Sequence, residues 1–356
     1  NIAIGFGSLN SDTLGSKSIA IGEQALNTQN FTTATDSFNT AVGHNAGKAV
    51  TTGKFNSLIG GQAGDAITSG DNNVAVGYES LTTNILSDRN VAIGNFALAT
   101  HNQATSIDSF NIAIGHDAAV ALTTGIHNVI IGGTAGDALT DADFNTVLGS
   151  NALSGDTLGS QSTAVGFNAL ATQNFTTATN SLNTAVGYAA GLNVTTGIKN
   201  VIVGGLAGDA LTTGELNVAM GNEALSGDTA GNKSVAIGGS ALKAQNFSTS
   251  TISHNVAVGL FAGTAVTTGI QNTLIGSQAG DALTVGTRNV VLGTDALGGD
   301  TKGSRSVAIG LSALFAQNFT TATDNYNVAV GAVAGASITT GIDNTLMGGL
   351  AGDALT

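Results

Sequence analysis

The sequence predicts an all-β protein, a parallel β-solenoid of 17- and 21-residue coils, and three observations lead there. A nine-residue phrase keeps returning: NVAVGYESL begins at 73, NVAIGNFAL at 90, NIAIGHDAA at 111 and NVIIGGTAG at 128. Its period is too short for the helix pairs of helical repeats, and β-branched residues dominate it. Proline is absent from all 356 residues, as suits a chain whose backbone N–H groups are needed as donors along most of its length.

Aligned on the first Asn or Ser, coils begin at 1, 18, 39, 56, 73, 90, 111, 128 and 145. They continue at 162, 183, 200, 217, 234, 255, 272, 289, 306, 327 and 344. The spacing is 17, with 21 at every fourth coil, so long coils start at 18, 90, 162, 234 and 306 and the block is 72 residues. Position 1 is Asn in sixteen coils and Ser in four, which predicts a ladder of side-chain amides at a turn where Asn also tolerates a left-handed backbone. Positions 2 to 4 are the strand. Position 5 is Gly in all twenty coils, ending the strand where φ is positive or the backbone approaches closely. Positions 6 and 7 vary freely, as solvent positions do. Position 8 is Ala except at Ser8 and Ser80, small enough for the two walls of a coil to close up. Stacked coils should rise about 4.8 Å each.

Positions 2 and 4 point to one side of the strand and position 3 to the other, yet phrases such as NVAVG and NVIIG are apolar on both. A strand buried on one face alternates with polar residues; continuous apolarity implies burial on both. A thin solenoid covers one face itself. The other requires a partner along its length, so side-by-side association of identical chains is expected.

Composition narrows the functions. The 51 glycines are about twice the ordinary ~7% share, and there is no cysteine for a disulfide framework or thiolate metal site. Net charge is −13, with 19 Asp against 4 Glu, which disfavours nucleic acid and anionic membranes. No apolar run approaches the ~20 residues of a membrane span. The chain starts without Met and stops inside the phrase AGDALT, so residues 1–356 are expected to be one continuous solenoid segment of a longer fibre protein.

SVAIGGSAL at 234 and SIAIGEQAL at 18 resemble the head repeats of YadA-like trimeric autotransporter adhesins. NTAVGYAAGLNVTTGIKNVIVGGLAG at 183–208 is similar to repeats of phage tail fibres that carry a C-terminal intramolecular chaperone. The resemblance covers the whole chain through the N/S-x-x-x-G-x-x-A core. It implies a left-handed parallel β-roll, three chains about one axis, an attachment role and an extracellular place on a cell surface or virion tail. The coils are longer than is typical of the autotransporter heads.

Candidate chemistry is sparse. Asp65, Asp137, Asp209, Asp281 and Asp353 recur at 72 residues in AGDALT-type turns. Copies so spaced lie about 19 Å apart in one chain, too far to share an ion held at ~2.3–2.6 Å, so turn hydrogen bonding is expected, with an axial ion between chains as the other use. His44 and His116 align, but Tyr188, Leu260 and Ala332 follow them, so they read as exposed turn residues. Glu23, Glu79, Glu215 and Glu223 are scattered, and no carboxylate pair suggests glycoside chemistry. TTG triplets at 51, 123, 195, 267 and 339 occur once in four coils, too rarely for the threonine array of an ice-binding solenoid. GDTLGS at 155–160 and GDTKGS at 299–304 lack the Lys-Ser/Thr ending of a phosphate loop. In the long coils Phe31, Phe175, Phe247 and Phe319 align, Gln103 replacing them in the second block, and read as anchors under their own loop or between chains. The sequons at Asn30, Asn174, Asn246 and Asn318 come with the same motif and are expected to be unmodified.

These readings combine into a non-enzymatic, homotrimeric fibre segment that mediates or extends cell-surface adhesion, with no cofactor, no metal ligand and no membrane contact. A surface receptor or glycan is its expected partner. The alternatives are a β-helical carbohydrate-active enzyme, which needs clustered carboxylates, and an ice-binding solenoid, which needs threonine on every coil.

Overall fold

The computed structural model describes residues 1–356, which form two units, 1–181 and 182–356. Both are all-β and free of helix, with ten solenoid turns in each and twenty in all. In the first unit each coil contributes one three-residue strand at positions 2 to 4, from Ile2–Ile4 and Ile19–Ile21 to Thr146–Leu148 and Thr163–Val165. Successive strands pair in parallel, each residue with its own equivalent: Ala75 with Ala92, Ile93 with Ile114. The second unit repeats this from Thr184–Val186 to Thr345–Met347, with Ile202 on Ala219 and Val291 on Ala308.

Such short strands are held by what flanks them. Between the first and last coils the Asn at position 1 is fully buried, and it bonds in two directions. Asn56 donates its Nδ2 to the Gly70 carbonyl across its own coil (2.8 Å), and its Oδ1 accepts from the Asn73 N–H of the next coil (2.9 Å). Position 1 itself is not left-handed. The left-handed residue is the one before it, as at Phe55 (φ 60°), Arg89 (60°) and Phe144 (59°). Behind the strand, the position 5 glycine has φ between +122° and +144°. A side chain there would also strike the next coil: a Cβ on Gly132 would lie 2.5 Å from the Gly149 carbonyl oxygen. Both expected reasons for the glycine column hold.

Position 3 faces inward and joins position 8 in a core with no solvent exposure, as Ala20, Ala41 and Leu58 with Ala25, Ala46 and Ala63. Positions 9 and 12 complete it by exchange. Where position 9 is Leu (Leu26, Leu81, Leu98), position 12 is polar (Gln29, Asn84, His101). Where position 9 is Gly, position 12 is apolar: Gly47 with Val50, Gly64 with Ile67, Gly208 with Leu211. A Cβ at Gly47 would lie 2.6 Å from Leu58 Cδ1, so glycine makes room for the large position 3 residue. The position 9 leucines sit at φ near +50°, a conformation costing about 1–2 kcal/mol, and full burial of a leucine returns about 1.5–3 kcal/mol. Burial wins.

Each long coil lays its extra segment against the coil before it. Phe31, Phe175, Phe247 and Phe319 are buried to 7% exposure or less within the single chain, so they anchor their own loop. Beyond the Phe, Thr32, Thr33 and Ala34 are exposed, and the chain returns as a two-residue strand, Thr35–Asp36 on Gly15–Ser16.

Candidate interaction surface

The most extended feature of each unit is the outer side of its main sheet. Strand alternation sends positions 2 and 4 outward, and these carry Val, Ile, Leu, Met and some Thr where a solvated face would carry charge. Ile59 is 42% exposed, Ile93 36% and Leu292 46%. Position 4 is apolar in all twenty coils, while Thr or Ser interrupts position 2 in seven of them; an exposed apolar stripe of this kind is the leading candidate for an interaction surface.

One edge of that face is the left-handed column just before position 1, which is position 17 of the short coils and 21 of the long ones. Its side chains lie over one another from coil to coil. Phe38 stacks on Phe55 (5.7 Å, 13° between planes), and His127 is sandwiched between Phe110 (5.4 Å) and Phe144 (5.2 Å). Cations sit at the ends of these stacks, Lys17 over Phe38 and Arg89 over Phe110, and in the second unit Arg305 lies over Tyr326 of the same column. Each is also paired with an Asp of the following long coil, namely Asp36, Asp108 and Asp324. The Lys17 contact, first in its hydrogen bond, holds the Asp36 carboxyl below the usual carboxylate range. The other edge is positions 6 and 7, mixed in type. The column at 17 was open to the same reading as the glycine column, since Phe, Lys, Arg and His recur there.

Beneath the long coils lies a buried polar cluster that sequence reading missed. Asp228 accepts from Gln245 Nε2 (2.6 Å) and from the Gly231 and Phe247 backbone N–H groups (3.0 and 3.1 Å). Gln245 also reaches Ser234 (2.7 Å) and accepts from Asn255 (2.8 Å). Burial nevertheless pushes the Asp228 carboxyl up, against the lowering effect of these bonds. Asp12 with Gln29 and Asp156 with Gln173 repeat the pair. The second block departs at both places, with Asn84 and His101. His101 is fully buried, and neither ring nitrogen makes a well-formed hydrogen bond; burial lowers its pKa to about 4, and the nearby Thr123 carbonyl offsets this only in part. Gln103, in place of the anchoring Phe, bonds instead to the Thr124 carbonyl (2.7 Å).

The remaining candidates disperse. Burial raises the carboxyls of Asp65, Asp137, Asp209 and Asp281, each opposed by hydrogen bonds, the Thr82 hydroxyl on Asp65 and the turn's own amides on the other three. His116 pairs with Asp117 (3.0 Å), and His44 is exposed. Glu23 and Glu79 lie at positions 6 and 7, Glu223 pairs with Lys243, and the Glu215 N–H bonds to Asn232. No three His, Asp or Glu side chains come together as a metal site, and no pocket indents the surface. The TTG triplets are turn residues: the Thr51 and Gly53 N–H groups share the Thr68 carbonyl, and the Gly53 carbonyl receives Asn39. In GDTLGS the Gly159 amide is already taken by the Asp156 carboxylate (3.0 Å), so the loop closes on its own anion. The sequon asparagines are exposed, and Asn30 Oδ1 accepts from Thr13 (2.9 Å). No helix is long and apolar enough to cross a membrane. No protein-family profile matches the chain, and no curated protein is significantly similar to it.

Proposed function

We propose that this chain is a structural segment of a homotrimeric attachment fibre, a phage tail fibre or bacterial surface adhesin, that mediates or extends adhesion to a cell surface. The observation carrying this reading is the apolar outer face, repeated by positions 2 and 4 of coil after coil. A covered face of that kind suits copies of the same chain, because a repeat offers each copy the same surface at every level. The resemblance of SVAIGGSAL and NTAVGYAAG to adhesin and tail-fibre repeats supports three chains and an extracellular role. A stack that transmits reach rather than chemistry also agrees with side chains whose polar groups are spent on their own turns. Light scattering at micromolar concentration tests the association: three times the chain mass of 34.9 kDa is expected, and a dilute, soluble, folded monomer overturns it. Binding of the labelled chain to intact cells, against a whole-block deletion, separates a receptor-binding segment from a spacer.

A further inference from the structure

Apart from Asp343 beside the last strand, the two edges of the apolar face carry opposite charge, and the charges keep step with one another. Six of the ten Lys and Arg residues stand at position 17: Lys17, Arg89, Lys199, Lys233, Arg288 and Arg305. Positions 6 and 7 carry five acids, Glu23, Glu79, Asp117, Glu223 and Asp295, and no Lys or Arg. Lys17 and Glu23 flank the same strand, Ile19–Ile21, as Arg288 and Asp295 flank Val290–Leu292. Arg89 flanks Val91–Ile93, between the strands flanked by Glu79 and Asp117. Lys199 and Lys233 flank the strands on either side of the one that Glu223 flanks, and Arg305 is one strand beyond Asp295. Every cation of the column therefore lies within one coil, about 4.8 Å along the stack, of an acid at the opposite edge. The strands of the coils starting at 39, 56, 128, 145, 162, 183, 255, 272 and 327 have no Lys, Arg, Asp or Glu at either edge.

No contact inside one chain accounts for this. The edges are separated by the width of the strand, roughly 15–20 Å at ~3.3 Å per residue. In-chain partners lie elsewhere: the Asp residues of the following long coils for Lys17, Arg89 and Arg305, Lys243 for Glu223, and His116 for Asp117. Those ion pairs are about half exposed and leave the charges within reach of a second partner.

We infer that the edges meet between chains, the cationic edge of one copy lying against the acidic edge of the next at the same level. This rests on the reading that copies of this chain cover the apolar face. Rotation about an axis parallel to the stack brings position 17 of one copy beside positions 6 and 7 of its neighbour at equal height. An antiparallel pair sets like edge against like edge, and a staggered one moves charges onto uncharged coils. Between the charged levels, the Phe38–Phe55 and Phe110–His127–Phe144 stacks present apolar rims along the same seam. Exposed rim pairs contribute little strength, so their effect is direction and register.

The chain contains no cysteine, so introduced pairs report without background. Arg288→Cys with Asp295→Cys cannot close within one chain, because a disulfide needs Cα atoms within about 7 Å. Oxidation of the folded double variant should give bands at two and three times the chain mass on a denaturing gel. Arg288→Cys alone, and Arg288→Cys with Asn222→Cys four coils away, should stay single. If scattering finds an oligomer and the double variant fails to cross-link, the inference is overturned while the association stands. Cross-linking of Arg288→Cys alone shows like edges meeting, and equal cross-linking of the Asn222 pair shows a free register; either overturns it too. A monomer by scattering removes the underlying reading instead.

Discussion

Lowering the pH from 7 to 4.5 should loosen the coil that starts at Asn90, and His101→Gln should abolish that component. The folded ring titrates at about 4 against an ordinary 6.5, chiefly because burial disfavours the imidazolium. Between those values the unfolded chain binds a proton that the folded chain refuses. Stability present above pH 6.5 is thus lost as pH falls, and the loss is complete by about pH 4. A gap of roughly 2.5 units at 1.36 kcal/mol each is about 3 kcal/mol, most of it spent by pH 4.5. Buried carboxyls act in the opposite sense. Asp228, Asp65 and Asp137 have raised values, so their contribution is full below the ordinary carboxylate pKa and declines as pH rises through the raised one. Only the difference between the wild-type chain and the variant isolates His101. Gln is the right replacement because Gln29, Gln173, Gln245 and Gln317 hold this place in the other blocks. Hydrogen exchange over residues 84–111, corrected for intrinsic rates, should show about a 2 kcal/mol drop in wild type between pH 7 and 4.5, beyond that in the variant. Equal pH responses would refute the reasoning.

Ile93→Asp puts a charge on the apolar outer face, where a covering chain would strip its water; light scattering should show the assembly lost, and an unchanged oligomer would free that face of its proposed role. Gly132→Val combines φ of +142° with a Cβ against the Gly149 carbonyl, a strain of about 2–3 kcal/mol or more that should lower the melting temperature; a neutral result would mean the column has slack. Removing residues 90–161 joins Arg89 to Ser162 and keeps the 17-17-17-21 order, so the chain should fold and associate with four coils fewer, judged by circular dichroism and scattering. Removing only 90–98 shifts the Asn, Gly and Ala columns out of register and should fail to fold. Cell binding that survives the whole-block deletion marks the repeats as spacer; binding lost from an intact assembly places a site in the second block.

The sequence alone determined the coil, its 72-residue block, the strand at positions 2 to 4 and the apolarity of both strand faces. These were legible because parallel in-register stacking sets each residue on its own equivalent, so requirements such as the buried Asn56–Asn73 link repeat as columns. Tertiary structure decided what depends on opposite walls of a coil. Leu26 and Phe55 adopt left-handed backbone against their ordinary preference, because burial repays one and a stacked column holds the other. Gly47 answers Leu58, eleven residues away, a pairing that no column records because position 9 of one coil meets position 3 of the next; Gln245 and Asp228 share position 12, but that column changes between Asp, Gln, Asn, His and aliphatic residues, so the pair does not repeat from coil to coil. Phe31 was resolved between its own loop and a neighbouring chain only by the fold, since either place would have kept it apolar. Local period fixes the coil; which walls touch is fixed by closing it.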